Sequence, residues 1–253
     1  RNTFRFILGN INDNFQKQSL DSINIKKFNE LEQFILHKLF VLDNSVKENL
    51  KNYNFHKLYK ELSNFCTSDL SSFYFDIRKD VLYCDSLNSQ KRKDCIIVLN
   101  IILDCLLHWF APIFVFTTEE IYSLVDKENK SIHENSFIKI PSKWENSVLD
   151  NKWEKLFKIK QEANISIEEK RASKEIGSSL EAELKITTND KNFKLLEGLD
   201  LAEYFITSKA IKIKGKEELT IEVIKAKGTK CPRCWKILDS KCGRCENVIR
   251  ESI

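Results

Sequence analysis

The sequence contains no methionine among its 253 residues, not even at position 1. It begins at Arg1, inside a stretch whose apolar residues repeat with helical spacing, and no helix cap or signal peptide precedes that stretch. From these two absences we expect the chain to be a piece of a longer protein. Such a piece need not contain the residues with which the whole protein does its chemistry.

The chain also lacks the short motifs that carry catalysis in many enzymes. It contains no glycine-rich phosphate loop, no paired-carboxylate motif and no nucleophile elbow. Aspartates and glutamates are numerous, but they fall on predicted helix faces, where solvated charge is the usual state. Residue types and spacing alone therefore name no reaction, and we predict no catalytic residue.

One stretch of 22 residues ending at Phe116 is almost wholly apolar and invites comparison with a membrane span. Within it, however, Asn100, Asp104 and His108 recur every four residues on one helical face, and an aspartate inside a span is costly in lipid. Pro112 breaks the helix before Phe116. We therefore predict a core helix of a bundle, no contact with a membrane, and a hydrogen-bonded His108 rather than a metal-ligating one.

The chain does contain two Cys-x-x-Cys motifs, Cys231/Cys234 and Cys242/Cys245, separated by seven residues. Each motif points two sulfurs toward one place, and two such turns close a tetrahedron around a soft divalent ion. Thiolate ligands select zinc, or iron at a rubredoxin-like site. We predict one zinc ion held by the four cysteines. The alternatives are an electron-carrying iron site, four unligated thiols or two disulfides.

Two neighbours of these cysteines bear on the shape of the turns. Pro232 is expected to pre-set the first turn, and Gly243 is expected to let the second bend tightly. The other four cysteines lie in apolar helical patterns and are predicted to be small buried hydrophobic residues: Cys66, Cys84, Cys95 and Cys105. This usage favours a reducing compartment, and we expect the cytoplasm.

The charge is distributed unevenly along the chain. The whole chain has a formal charge of only +4, but residues 209–253 hold twelve Lys and Arg against six Asp and Glu, a formal +6. Four thiolates on a divalent metal would reduce this to about +4. A compact basic tail favours a polyanion as partner, with nucleic acid as the first candidate, and a merely soluble basic surface is the alternative.

Periodicity predicts a mainly α protein. Apolar residues recur at steps of three and four from residue 28 to residue 50, and they alternate with charged ones from residue 180 to residue 186. We predict an antiparallel helical bundle over residues 1–128, a connecting segment over 129–150, a small α+β junction over 151–228 and a zinc knuckle with four cysteine ligands over 229–253. The first helix carries an apolar stripe of Phe4, Ile7, Leu8, Ile11 and Phe15.

Local signals predict where some helices begin or bend. Thr117 with Glu120 forms a capping-box pattern that opens a short helix. Asn151 with Glu154 forms the same pattern ahead of a helix running to about residue 174. The helix after residue 55 is expected to kink near residues 67–69.

Several segments resemble a known family. Residues 107–122, which begin Leu-His-Trp-Phe-Ala-Pro, resemble the helix–proline–capping-box signature in the anticodon-binding bundle of class I aminoacyl-tRNA synthetases for isoleucine, valine, leucine and methionine. Residues 1–10, 73–85 and 177–182 and the cysteine motifs of 231–245 are similar to the bacterial isoleucyl-tRNA synthetases in particular. The resemblance covers essentially the whole chain in the right order.

The resemblance implies that the parent protein joins isoleucine to its tRNA with ATP. The ATP-site motifs of the family, similar to His-Ile-Gly-His and Lys-Met-Ser-Lys-Ser, do not occur here, and neither does the editing domain. ATP and Mg²⁺ would then act only in a catalytic domain outside this chain. The piece would bind the anticodon region of isoleucine tRNA, and we expect a monomer without DNA or membrane partners.

Four residues within or beside the knuckle are the candidate RNA contacts: Arg233, Trp235, Lys236 and Arg244. The cations would meet phosphates, and Trp235 would either stack on a base or cover the metal site, with covering slightly favoured. Basic helix positions such as Arg78 are expected to be solvated. The alternative to a synthetase fragment is a free-standing RNA-binding zinc protein built from the same modules.

Overall fold

The computed structural model describes residues 1–11, 19–126 and 130–251. Phe15 of the predicted first stripe and the predicted domain limit at 128/129 lie outside the described residues. The chain forms two compact units, one of Arg1–Arg78 with Leu87–Asn146 and the other of Lys79–Ser86 with Ser147–Ile253. The four-part division predicted above stays a prediction.

The first unit is helical, which confirms the predicted bundle. Helix α5 lies at its centre and packs against α1, α2 and α6. Short 3₁₀ turns at Leu20–Ser22, Ile25–Lys27, Ile132–Glu134 and Ser142–Trp144 join the longer elements. The helices are α1 (Asn2–Ile11), α2 (Glu30–Lys51), α3 (Phe55–Asn64), α4 (Asp76–Cys84, whose last residues belong to the second unit), α5 (Gln90–Phe110) and α6 (Val115–Val125).

Helix α5 is buried on nearly every side from Val98 onward, as expected of a core helix. Its polar stripe is buried too: the side-chain amide of Asn100 donates to a backbone carbonyl, and Nδ1 of His108 donates to the carbonyl of Asp104 at 2.8 Å. Within the described ranges, no helix is both long enough and apolar enough to cross a membrane.

An 11-residue π-helix, Phe65–Phe75, joins α3 to α4 where a kink was predicted. Its buried residues include Phe65, Leu70 and Phe75, which follow one another at steps of five. A π-helix has i→i+5 hydrogen bonds, so these three side chains fall on one face of it. The predicted kink region, residues 67–69, therefore lies inside this π-helical segment.

Arg78, expected to be solvated, is instead buried in an ion pair with Glu32. The guanidinium Nε lies 2.6 Å from one carboxylate oxygen of Glu32, and Nη2 lies 2.7 Å from the other. Both residues are almost inaccessible to solvent, and the hydroxyl of Tyr74 donates to the same carboxylate at 3.3 Å. Two-point contact with hydrogen-bonding neighbours is the arrangement that makes a buried pair tolerable.

Both capping-box predictions placed the helix start too late. Helix α6 begins at Val115, so Thr117 lies inside its first turn, and its N-cap residue is Phe114. Helix α7 begins at Ser147, and the side-chain amide of Asn151 donates to the carbonyl of Ser147. The Thr-x-x-Glu and Asn-x-x-Glu spacings thus occur within helices here and do not mark where the helices begin.

The second unit combines helix α7 with two small sheets. Strand β1 is the centre of the three-stranded sheet, parallel to β2 and antiparallel to β3, and α7 packs on β3. The parallel β1–β2 pair needs a crossover, which α8 and α9 supply. The elements are α7 (Ser147–Ala172), β1 (Ala182–Thr188), α8 (Asp190–Leu195), α9 (Leu201–Tyr204), β2 (Lys209–Lys214), β3 (Leu219–Lys225), β4 (Thr229–Lys230), β5 (Ile237–Leu238) and α10 (Gly243–Glu251).

The alternating pattern of β1 is confirmed, with Ala182, Leu184 and Ile186 fully buried. Their register partners continue the buried face, since Leu184 lies opposite Val223. Strand β2 begins at Lys209, and Phe205, which precedes it, packs on Tyr204 at the end of α9. A mainly helical fold that ends in a small sheet and a cysteine cluster is therefore confirmed.

Candidate metal centre

Two short elements present the four cysteines. Strands β4 and β5 pair as a hairpin, and its loop carries Cys231 and Cys234. The backbone N–H of Cys231 donates to Lys236, and the N–H of Trp235 donates back to Cys231, which closes the loop on itself. Cys242 and Cys245 stand at the start of α10, where the N–H of Glu246 donates to the carbonyl of Cys242 at 3.0 Å. We call residues 229–251 the knuckle.

The glycine that the knuckle requires is Gly228, not Gly243. Gly228 has a φ of +125°, and a Cβ there would lie 2.2 Å from the carbonyl oxygen of Leu238. No atom within 4 Å would meet a Cβ on Gly243, whose φ is ordinary, so the expectation that Gly243 permits a tight bend is wrong. The residue beside the cysteines that adopts a left-handed backbone conformation is Trp235.

The four sulfurs converge as the spacing predicts. All four lie within 4.8 Å of one another, and those of Cys234 and Cys242 are 3.9 Å apart. Zinc–sulfur bonds of about 2.3 Å in a tetrahedron place sulfurs about 3.8 Å apart. A disulfide needs about 2.05 Å, and all eight cysteines have free thiols in this structure. The arrangement can therefore hold one metal ion with four thiolates.

The surroundings of the thiols differ from one cysteine to the next. Burial raises the pKa of Cys231, but backbone N–H groups of Cys234 and Arg233 outweigh it and lower that pKa to about 7. Burial and the neighbouring thiols raise the pKa of Cys245 to about 12. A metal must displace these protons to bind, so its affinity falls as pH falls.

Trp235 does not cover the cysteines. It is 61% exposed, and its φ is +64°, a region that favours glycine. Holding a non-glycine residue there costs about 1–2 kcal/mol. The sequence slightly favoured a packed indole, and the exposure argues against it.

The two candidate arginines are engaged with protein groups. The guanidinium of Arg233 donates to the backbone carbonyls of Tyr83 and Cys84, and that of Arg244 binds the carboxylates of Asp80 and Asp85. Lys236 is half-buried near Asp80; burial raises the pKa of that carboxyl, whereas Arg244 and, less strongly, Lys236 lower it. That these cations contact RNA stays a prediction.

Sequence reasoning missed one residue of the cluster. Cys84 was assigned to a helical core, and it is indeed buried, but it lies against Cys231, Cys234 and Cys245. Its thiol is 3.8 Å from the carbonyl oxygen of Arg233. No spacing rule could find it, because 149 positions separate the two residues.

Comparison with known proteins gives consistent matches. A family model described as the anticodon-binding domain of tRNA ligase matches residues 32–186. The chain is 56% identical to the isoleucine–tRNA ligase of Pelagibacter ubique over 245 residues, covering 96% of this chain and 27% of that protein. It is 38% identical to the isoleucine–tRNA ligase of Agrobacterium fabrum (94% and 25% covered) and 36% identical to that of Petrotoga mobilis (100% and 30% covered). The chain thus spans 25% to 30% of the length of these curated relatives.

Proposed function

The chain belongs to the anticodon-binding domain family of tRNA ligases, and on that premise we propose that it is the tRNA-binding portion of an isoleucine–tRNA ligase. The whole enzyme would join isoleucine to its tRNA with ATP, and its catalytic and editing sites would lie outside the matched quarter of the relatives. The similarity to ligases of this name from several organisms runs through nearly the full chain, which does not favour the free-standing RNA-binding protein.

The second part of the proposal is that Cys231, Cys234, Cys242 and Cys245 hold one Zn²⁺. Four convergent thiols are the donor set that zinc prefers, and so short a knuckle has too little core to fold unaided. When bound, zinc would supply folding energy and no redox chemistry. Elemental analysis should find one zinc per chain and a colourless protein. A red, iron-containing product would support the rubredoxin-like alternative and overturn this part.

The observation that supports the RNA proposal most directly is the exposure of the Trp235 side chain. Its indole is exposed and stands in the sequence between the cations Arg233 and Lys236, so an aromatic face and positive charge occur together in the knuckle. Unstacked anticodon bases expose faces on which an indole stacks, worth about 1–3 kcal/mol per base. We assign base stacking to Trp235 and a phosphate contact to Lys236. Arg233 and Arg244 are less direct candidates because protein acceptors occupy them.

The test separates stacking from stability. Trp235→Gly relieves the backbone strain, so the zinc-loaded knuckle should be at least as stable as the parent. Affinity for an isoleucine tRNA transcript should nevertheless fall about ten-fold, because one stacked base is lost. The measurement is fluorescence anisotropy of labelled tRNA, with zinc content determined in parallel.

Tyr53→Gly is the matched control. Tyr53 is also an exposed aromatic residue at positive φ (+53°, 81% exposed), but it lies between α2 and α3. The Tyr53→Gly variant should bind tRNA with the affinity of the parent chain. Unchanged affinity in Trp235→Gly, or equal preference of the parent for isoleucine tRNA and other tRNAs, would sink the assignment.

The remaining expectations concern the whole molecule. None of the eight cysteines forms a disulfide, which suits a reducing compartment, and we propose the cytoplasm. We propose a monomer, which light scattering would test. The chain itself should show no isoleucine-dependent pyrophosphate exchange, since it contains none of the family's ATP-site motifs.

A further inference from the structure

Each of the two cysteine loops carries one arginine, and both arginines bind the same short segment. Arg233 stands just before Cys234, and Arg244 stands just before Cys245. The oxygen atoms that accept from both guanidiniums lie in Lys79–Ser86, the end of α4 and the two residues after it, and Arg244 also donates to the sulfur of Cys234. This segment and the knuckle belong to the same compact unit.

Arg233 acts on the C-terminus of α4. Its two terminal nitrogens donate to the carbonyls of Tyr83 and Cys84, which are among the last of the helix and have no helical partner. A cation at this end also meets the negative end of the helix dipole. The contact depends on backbone acceptors, so it does not depend on the side chains at positions 83 and 84.

Arg244 acts on two carboxylates. Nη1 lies 2.7 Å and Nη2 lies 2.9 Å from the two oxygens of Asp80, and Nη1 is also 3.1 Å from Asp85. All three side chains are at least two-thirds buried. Burial raises the pKa of Asp80, but the hydrogen bond from Arg244 outweighs it and holds that pKa below its ordinary value. Forked, half-buried contacts of this kind fix orientation as well as adding energy.

Two further contacts hold the knuckle, one to the same segment and one to the residue before β2. The hydroxyl of Ser86 donates to Glu251 at the end of α10 at 2.6 Å. The backbone N–H of Ile237 in β5 donates to the hydroxyl of Ser208 at 2.6 Å. The knuckle is thus held at both of its cysteine loops and at its last helix.

We propose that Asp80 and Asp85, through Arg244, are positioning residues for tRNA binding. They fix the orientation of the knuckle so that Trp235, two residues beyond Arg233, meets the RNA. This inference rests on the proposed function, because it assumes that the knuckle binds tRNA.

Asp80→Asn tests the inference in the zinc-loaded 253-residue chain. It removes the charge with little change in volume, and we expect about ten-fold weaker binding of an isoleucine tRNA transcript at one zinc per chain. Arg244→Gln should weaken binding at least as much, because it also releases Asp85. The double variant should be no worse than Arg244→Gln alone, because Asp80 then has no guanidinium left to bind. Asp190→Asn is the control, since it breaks the exposed pair with Lys214 in the same unit.

A second measurement does not depend on tRNA. Hydrogen exchange of amides 229–251 should be faster in zinc-loaded Asp80→Asn than in the parent, and unchanged in Asp190→Asn. Either parental tRNA affinity or parental exchange in Asp80→Asn would overturn the inference. Loss of zinc from that variant would also overturn it, since Asp80 would then be needed to form the site. If the parent binds no tRNA, the proposed function fails, and parental exchange in Asp80→Asn would refute the orientation role separately.

Discussion

Among the glycines, Gly228 is the one whose replacement should most disturb the knuckle. Gly228→Ala places a methyl group on the backbone of Leu238 at a φ that strains any side chain. We expect it to destabilise the knuckle by about 1–3 kcal/mol and to weaken zinc binding, measured by competition with a chromogenic chelator. Gly243→Ala is the matched control and should bind zinc like the parent or slightly better, because it lies in open space in α10. Equal affinities in both variants would contradict the assignment.

The buried pair of Arg78 and Glu32 makes a second prediction for single residues. Arg78→Met should cost about 3–5 kcal/mol, because it leaves the Glu32 carboxylate buried without its cation. The double variant Arg78→Met/Glu32→Leu should recover most of this loss. Urea unfolding would measure both. Arg1→Met, which removes an exposed pair with Glu120, should leave the unfolding free energy unchanged within error. A neutral Arg78→Met would show that the pair is dispensable.

What the sequence reveals about these residues depends on distance along the chain. The metal ligands could be predicted, because the spacing within each Cys-x-x-Cys motif is local and is itself typical of metal binding. The partners of Arg233 and Arg244 could not, because about 150 to 165 positions separate them and an arginine has the same sequence appearance whether solvated or anchored. Trp235 was underestimated for a similar reason, since its φ and exposure are not visible in the sequence.

Among the elements, the regular apolar repeats were the reliable signals. The periods of α2, α5 and β1 place those elements correctly, because a single face must remain apolar along the whole length. Element ends were less predictable, as α6 and α7 show. The π-helix had a signal that helical templates overlook, namely the five-residue steps from Phe65 to Leu70 and on to Phe75.

The knuckle is the element that should depend on metal. A strong chelator should unfold β4, β5 and α10 and leave α5 protected, because the core around α5 is apolar whereas the knuckle's buried residues include three of its cysteines. Hydrogen exchange of residues 229–251 before and after chelation would show this, with zinc content as the reference. Cys234→Ser, which lacks a complete ligand set, should not respond to the chelator. A knuckle that stays protected without metal would disprove the metal-dependent fold.

For the whole molecule, we expect the affinity for tRNA to depend only modestly on salt concentration. Several basic residues of the 209–253 tail are paired with acidic groups, among them Lys209 with Glu183, Lys214 with Asp190 and Lys241 with Glu246. The number of phosphates contacted is therefore smaller than the tail's charge suggests. We expect Kd to rise about ten-fold between about 50 and 200 mM salt.

Anisotropy titrations at several salt concentrations would give the slope, and Lys236→Gln should reduce it by about one contact. Lys216→Gln, in the turn between β2 and β3, is the control for a lysine outside the knuckle. An affinity independent of salt would exclude phosphate contacts and leave stacking alone.

Because Arg233 and Arg244 bind different kinds of acceptor, positions 233 and 244 should differ in how they co-vary with other positions among related proteins. Arg244 depends on the side chains at positions 80 and 85, so substitutions at 244 should co-vary with those at 80 and 85 among related proteins. Arg233 depends on main-chain carbonyls, which every residue type provides, so position 233 should vary independently of 83 and 84. An arginine held by main chain can be lost or kept by itself, whereas one held by carboxylates must change together with its partners.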